Sequence, residues 1–131
     1  DMKGAIEKIE QIVPNAAKEG HVWLTERGSS FGYGRLVVDM TSLVEMRRFG
    51  CPVVFDATHS VQQPSSQTGI TGGNREMVPY LMRAALAVGV DGLFIETHPN
   101  PDEAISDAAN QVRLKDMKTL LEQALELDKL K

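Results

Sequence analysis

The chain has 131 residues, the length of one ordinary domain, with a formal net charge of −4 and 24% charged residues. A mildly acidic balance without a basic cluster argues against nucleic-acid binding, and no apolar run approaches the roughly 18 residues of a membrane span. The single cysteine, Cys51, has no partner for a disulfide bond within the chain and suits a reducing compartment, so we expect a cytoplasmic protein.

Helices alternate with short apolar strands along the chain. Apolar residues at helical spacing predict the helices, and short apolar runs bounded by turn residues predict strands buried on both faces. Strands separated by helices favour a parallel sheet with right-handed crossovers. The predicted elements are helix 3–19, strand 22–25, helix 41–49, strand 52–59, helix 74–88, strand 93–96 and helix 113–130.

Several local details follow from single residues. Pro14 is expected to kink or end the first helix, and either Thr41 or Ser42 could cap the second. Residues 36–38 are expected to form the packed wall of a loop, and the polar stretch 60–73 a functional loop or lid. The positions predicted to face the core in the last two helices are Met77, Leu81, Ala84, Ala85, Val88, Leu114, Met117, Leu120, Leu121, Ala124 and Leu127.

Three strands and four helices make a poor closed domain. A (β/α)8 barrel needs ~250 residues, so this chain would supply roughly the second half of one. The alternative is a small open sheet of three strands, which would expose both of its edges. We favour the half barrel, in which residues 1–131 form a single partial domain and the amino-terminal half lies outside the chain.

Charged and metal-binding residues stand at the carboxyl ends of all three predicted strands. Arg27 follows the first, His59 ends the second and Glu96 ends the third. Parallel strands bring these ends to one rim, where α/β proteins place their active sites. His59, Glu96 and Asp107 are candidate ligands for a divalent ion such as Zn, Fe or Mn. In the alternative interpretation, His59 hydrogen-bonds loop backbone and Glu96 pairs with an arginine.

Two segments could bind anions. Arg27 beside Gly28 forms a candidate clamp for phosphate or carboxylate, although a salt bridge to Glu26 or Asp56 is an equal alternative. Residues 72–75 could bind an anion at a helix start or could be a hinge with a surface arginine. We interpret His98 as fixing loop geometry, and His21 and Cys51 as structural residues.

Motifs along nearly the whole chain resemble one enzyme family. They are TERGSSFGY, VVDM, FDATHSVQQP, TGGNRE, AVGVDGLFIETHPNPDEAISDAANQ and the leucine-rich last helix. The family is that of the 3-deoxy-D-manno-octulosonate 8-phosphate synthases, also called 2-dehydro-3-deoxyphosphooctonate aldolases. The resemblance implies a (β/α)8 barrel, commonly tetrameric, of which this chain covers helix five to helix eight. It also implies condensation of phosphoenolpyruvate with arabinose 5-phosphate and release of phosphate, for lipopolysaccharide precursors.

The resemblance assigns roles to individual residues. His59, Glu96 and Asp107 match the family's metal ligands, and the SDAANQ segment resembles its metal-dependent branch, whose further ligand is a first-strand cysteine other than Cys51. Arg27 matches the arginine that holds the phosphate of phosphoenolpyruvate. The remaining substrate contacts would come from Gly28, Gln62 and Arg75, with residues 62–75 covering the site.

The chemistry implied by the resemblance uses these groups together. The metal would polarise the aldehyde or orient the attacking water, and His59 would carry protons. Gly34-Arg35 departs from the family pattern, so no contact is assigned there. Two other interpretations stay open: a related synthase that joins phosphoenolpyruvate to another sugar phosphate in aromatic amino-acid synthesis, and a non-catalytic half-barrel binding module.

Overall fold

The computed structural model describes residues 1–31, 33–64 and 72–130 and has a mixed α/β fold. Its longer elements alternate between helix and strand, and shorter strands lie between them. The helices are α1 (Met2–Glu10), α2 (Met40–Arg47), α3 (Val78–Val88) and α4 (Met117–Asp128). The strands are β1 (Leu24–Glu26), β2 (Ser29–Ser30), β3 (Leu36–Val37), β4 (Val53–Asp56), β5 (Gln62–Gln63), β6 (Gly72–Gly73), β7 (Gly92–Phe94), β8 (Thr97–His98) and β9 (Val112–Arg113).

Three strands form the central sheet, in the order β1-β4-β7, and both pairings are parallel. The prediction that the three strands pair in parallel is therefore confirmed. The middle strand β4 is buried, with Val53 and Phe55 fully inaccessible, as expected for a strand with neighbours on both sides. The outer strand β7 is less buried than predicted, since Phe94 leaves 45% of its surface exposed.

The first two helices differ in detail from their predicted bounds. Helix α1 ends at Glu10 rather than near residue 19, and turns lead from there to Asn15, whose positive φ of 62° breaks any helix. Only Ile6 of α1 is buried, and Ile9 and Val13, which share its helical spacing and would lie on the same face of a longer helix, are exposed. Helix α2 is capped by Asp39, which accepts a hydrogen bond from the backbone N–H of Thr41, instead of by Thr41 or Ser42.

The buried face of α3 is rotated from the predicted one, whereas that of α4 is the predicted face made narrower. Residues 75–77 and 114–116 form 3₁₀ turns before these helices. In α3 the buried residues are Val78, Met82, Ala85 and Leu86, and in α4 they are Leu120 and Ala124. Four residues that were predicted to be buried are exposed instead: Met77, Val88, Leu114 and Leu121.

Small strand pairs connect the loops at the carboxyl end of the sheet. Strands β2 and β3 pair antiparallel, so Leu36 and Val37 belong to a short strand that the sequence did not predict. Strands β5 and β6 also pair antiparallel, and β8 and β9 pair in parallel. Among the described residues, no helix is both long and apolar enough to cross a bilayer.

Candidate metal centre

The side chains of His59, Glu96 and Asp107 converge at one end of the central sheet. The Nε2 atom of His59 lies 3.6 Å from Glu96 Oε1 and 3.9 Å from Asp107 Oδ2. One ligand atom from each residue falls within 4.8 Å of the other two, and all three side chains are partly buried. Atoms at these separations can bind one ion placed between them with small side-chain movements.

Asp56 fixes the orientation of the His59 ring. Its Oδ2 atom lies 2.7 Å from His59 Nδ1, and its Oδ1 atom accepts the backbone N–H groups of His59 and Thr58. Because a carboxylate only accepts hydrogen bonds, Nδ1 carries the proton of the neutral ring. The lone pair of Nε2 therefore faces Glu96 and Asp107, and such a carboxylate behind an imidazole is the usual support for a metal-binding histidine.

Glu96 follows β7 and is held by its backbone on both sides. Its N–H donates to the hydroxyl oxygen of buried Thr58 at 2.7 Å, and its C=O accepts the N–H of Val112 at 3.0 Å. The second bond lies next to the β8–β9 pair, in which Thr97 is the partner of Val112. This pairing brings the segment after Asp107 back beside the end of β7. Glu96 and Asp107 are thereby brought to the same rim.

Asp107 is held more tightly than its loop position suggests. Its backbone has a φ of 51°, and its C=O accepts the N–H groups of Asn110 and Gln111 at 2.8 and 3.0 Å. Its Oδ1 atom accepts hydrogen bonds from Gln62 Nε2 at 2.7 Å and from Asn110 Nδ2 at 3.2 Å. These donors occupy Oδ1 and leave Oδ2 facing His59.

The residues present fit a divalent cation. A lone pair of His59 and the carboxylates of Glu96 and Asp107 meet with a third carboxylate, that of Asp56, behind the ring. Unneutralised carboxylates this close repel one another, and a bound cation removes that repulsion. One imidazole with two carboxylates suits Zn, Fe or Mn. Neither part of the alternative interpretation is observed for His59 or Glu96, because the ring binds the Asp56 side chain and Glu96 faces that ring.

Arg27 connects to the centre through one side chain. Its Nη2 atom donates to Gln62 Oε1 at 3.2 Å, and the same Gln62 amide donates to Asp107. Glu26 accepts hydrogen bonds from the Gly28 N–H and the Ser42 hydroxyl, both at 2.6 Å. Glu26 and Asp56 thus bond to other groups, and the alternative of a salt bridge from either of them to Arg27 is not observed. The exposed guanidinium retains N–H groups for an anion.

Gly28 shapes the turn after β1. Its φ of 87° is in the left-handed region, and an added Cβ atom would lie 3.0 Å from the Cβ atom of Leu36. Its N–H is already donated to Glu26. Gly28 therefore allows the tight turn beside Arg27, and its contact with a substrate remains a prediction.

Arg75 lies on the far side of the Asp107 loop. Its guanidinium donates to Asp102 at 2.9 Å and to the C=O of Ala108 at 2.6 Å. Its backbone N–H donates to the C=O of Ala109 at 3.1 Å. These bonds hold the loop that carries Asp107, so the structure does not bring Arg75 directly to the ligands. The predicted cover over the site falls partly on residues 65–71, which lie outside the described residues.

The other two histidines and the cysteine make local contacts away from the metal centre. His98 Nδ1 lies 2.7 Å from the C=O of Asn100, which confirms its predicted part in loop geometry. His21 is exposed and lies 3.4 Å from a carboxylate oxygen of Glu19. Cys51 is buried, and burial, with a smaller contribution from the charge of Glu10, raises the pKa of its thiol. A protonated thiol packs as a small apolar group.

Two supporting residues were not predicted from the sequence. Asp56 was considered only as a salt-bridge partner of Arg27, although its spacing of three residues before His59 allows the observed carboxylate–imidazole bond. Asn110 was not considered, and its buried amide donates to Asp107. It stands three residues after Asp107, a spacing at which side chains meet in any tight turn.

The fold and the centre define an α/β protein with a candidate cation site at the carboxyl end of parallel strands. Residues 1–131 match the sequence profile of the DAHP synthetase I family over their whole length, so the chain belongs to that family. Its resemblance to the enzymes named above is also confirmed by curated relatives.

Three of these relatives carry the name 2-dehydro-3-deoxyphosphooctonate aldolase. The protein of Leptothrix cholodnii is 57% identical over 131 residues, covering 99% of this chain and 46% of the relative. That of Variovorax paradoxus is 56% identical with the same coverage, and that of Agrobacterium fabrum is 57% identical over 128 residues, covering 98% of this chain and 44% of the relative. The chain therefore spans less than half the length of these relatives.

Proposed function

We propose that the chain is the carboxyl-terminal half of a (β/α)8 barrel whose complete protein condenses phosphoenolpyruvate with arabinose 5-phosphate and releases phosphate. The observation that carries the proposal is the convergence of His59, Glu96 and Asp107 at the carboxyl rim of parallel strands. Relatives named for this octonate chemistry, at 56 and 57% identity, support the substrate assignment. The product would be a lipopolysaccharide precursor, and the complete enzyme a cytoplasmic transferase and a homotetramer.

The state of the sheet supports the half barrel. Strands β1 and β7 each pair with β4 alone among the described residues, so both edges of the sheet are open. Apolar side chains beside these edges are exposed, including Trp23 and Phe94. Further parallel strands would cover both features. The isolated chain would then lack part of the substrate site, and we expect it to be inactive.

His59, Glu96 and Asp107 would hold a divalent cation, which when bound would act as a Lewis acid on a carbonyl oxygen or on water. Asp56 keeps the Nε2 lone pair of His59 directed at the centre. Hydrogen bonds to one carboxylate oxygen of Asp107 leave the other facing His59. The protein residues thus preset the donor atoms, which lowers the cost of ordering them when an ion binds.

Arg27 would bind the phosphate of phosphoenolpyruvate. Its planar guanidinium matches a phosphate in two parallel hydrogen bonds, and its charge offsets that of the anion. The Gln62 amide links it to the metal ligands, so the phosphate and the cation would lie on neighbouring parts of one site. Such fixed placement of two reacting molecules contributes to rate mainly by orientation.

The test is a phosphate-release assay on the complete protein, with phosphoenolpyruvate and either arabinose 5-phosphate or erythrose 4-phosphate. We expect release with arabinose 5-phosphate and little with the shorter sugar. Preference for erythrose 4-phosphate would identify the related synthase of aromatic amino-acid synthesis. Release with neither sugar, from a folded protein supplied with Zn, Fe or Mn, would favour a non-catalytic binding module.

A further inference from the structure

The side-chain amide of Gln62 bridges two parts of the site. Its Oε1 atom accepts a hydrogen bond from Arg27 Nη2 at 3.2 Å, and its Nε2 atom donates to Asp107 Oδ1 at 2.7 Å. A guanidinium only donates and a carboxylate only accepts. These two neighbours therefore fix which way the amide points, with its oxygen toward Arg27 and its nitrogen toward Asp107.

The backbone of Gln62 is itself well placed for this bridge. Its N–H donates to the C=O of His59, closing the 3₁₀ turn that begins at that ligand. Gln62 then pairs with Gly73 in the β5–β6 ladder. The residue is partly buried, and its position is tied to His59 on one side and to a second strand on the other.

We propose that Gln62 is a positioning residue that couples the phosphate-binding arginine to the metal ligand Asp107. The proposal rests on the proposed function, because it takes Arg27 as the phosphate contact. By occupying Asp107 Oδ1, Gln62 turns Oδ2 toward the cation position. By accepting from Arg27, it holds the guanidinium beside the centre before any substrate arrives.

The chemistry of the bridge requires a glutamine. Glutamate keeps the acceptor for Arg27 and loses the donor for Asp107, and methionine of similar length loses both. A residue that only contacted substrate would leave metal affinity unchanged when replaced. The bridge acts on Asp107 in the absence of substrate, so metal affinity measured alone separates the two roles.

The first experiment measures binding of Mn²⁺ alone, by titration calorimetry, to the complete protein. Replacing a residue that supports a metal ligand costs 10- to 100-fold in affinity, so we expect Gln62→Met to bind Mn²⁺ about 10-fold more weakly. The matched control is Gln63→Met, the neighbouring residue in the same two-residue strand, which should retain the affinity of the unmodified protein. Unchanged Mn²⁺ affinity in a folded Gln62→Met variant would overturn the proposal.

The second experiment measures binding of inorganic phosphate without metal. In Gln62→Glu the new carboxylate would pair with Arg27 and cancel its charge, so we expect phosphate affinity to fall at least about 10-fold. Phosphate binding equal to that of the unmodified protein would mean that residue 62 does not reach the guanidinium or that Arg27 does not bind phosphate, and either result overturns the proposed coupling.

Failure of the bridge and failure of the proposed function have different signatures. If the unmodified protein turns over arabinose 5-phosphate while Gln62→Met binds Mn²⁺ normally, the bridge is wrong and the synthase assignment stands. If Gln62→Met loses Mn²⁺ affinity while the unmodified protein releases no phosphate with either sugar, the bridge stands and the synthase assignment is wrong.

Discussion

Gly73 lies against the side chain of Asn110 so closely that an added Cβ atom would fall 1.5 Å from Asn110 Oδ1. Since Asn110 Nδ2 donates to Asp107, the absence of a side chain at residue 73 helps to place a candidate metal ligand. We expect Gly73→Ala to displace Asn110 and to weaken Mn²⁺ binding. Overpacking of this kind costs about 1–3 kcal/mol, which chemical denaturation would measure.

The control for this prediction is Gly4→Ala. A Cβ atom at residue 4 meets nothing within 4 Å, and the residue lies in helix α1, where alanine is favoured over glycine by about 1 kcal/mol. We expect this variant to keep its Mn²⁺ affinity and to be slightly more stable. If Gly73→Ala behaved in the same way, the proposed support of Asp107 by Asn110 would be wrong.

The carboxylate of Asp56 should matter for metal binding although it faces away from the ion. Asp56→Asn keeps the shape of the side chain, and its oxygen would stay at the two backbone N–H groups that Asp56 Oδ1 accepts. Its NH2 group would then face His59 Nδ1, so the ring proton would move to Nε2, the atom that faces the metal position. We expect Mn²⁺ to bind 10- to 100-fold more weakly.

Replacement of the ligand itself should have the larger effect: His59→Ala should lower both bound metal and turnover. Lost turnover with unchanged metal content in His59→Ala would mean that His59 is not a ligand.

Arg27 should act on one substrate more than on the other. We expect Arg27→Ala in the complete protein to raise the apparent KM for phosphoenolpyruvate about 10- to 100-fold, the loss of about 1.5–3 kcal/mol expected for hydrogen bonds to a charged group. The KM for arabinose 5-phosphate should change much less. Arg27→Lys restores the charge without the planar fork and should recover part of the effect. Equal effects on both substrates would contradict the assignment.

Removal of metal should lower stability, because a ligand that binds only the folded state adds to the free energy of unfolding. At about 100 times its dissociation constant the contribution is about 2.7 kcal/mol. We therefore expect a chelator to lower the Tm and re-added Mn²⁺ to restore it. His59→Ala provides the control, since its Tm should respond to neither treatment. An equal response of both proteins would place the bound ion elsewhere.

The buried thiol of Cys51 predicts a loss of stability at alkaline pH. Burial raises its pKa in the folded state above the ordinary value of about 8.5, so folding opposes its ionisation. Its contribution to stability is full below that ordinary value and is lost as the pH rises above it. The free energy of unfolding, compared at about pH 7.5 and about pH 9.5, should fall less in Cys51→Ala than in the unmodified protein. Equal falls would contradict this prediction.

The sequence predicted correctly those features that follow from strand pattern and strand direction alone. Apolar runs located the three parallel strands, and the common direction of those strands placed His59 and Glu96 at one rim. Asp107 lies in a loop without periodicity, so its residue type made it a candidate ligand but strand geometry could not place it at the rim. Its position depends on Gln62 and Asn110, which contact it through side chains from separate segments.

The buried face of α3 was harder to predict because apolar residues lie on more than one of its faces. Val78 and Met82 are buried where Met77 and Val88 were expected, and both pairs fit a helical spacing. The cap at Asp39 was missed for a similar local reason, since it precedes two other good caps. Single-residue competition of this kind depends on tertiary packing that a pattern does not contain.

The hydrogen bonds that fix the backbone of Asp107 come from the residues after it, Asn110 and Gln111, which lead directly into β9. Upstream, Pro101 is fully buried, and Asp102 accepts a hydrogen bond from Arg75, which also donates to the C=O of Ala108. The loop is thus anchored both before and after the ligand that it carries. An insertion or deletion at residues 99–101 would disturb the first anchor, so we expect the length of this loop to tolerate little change.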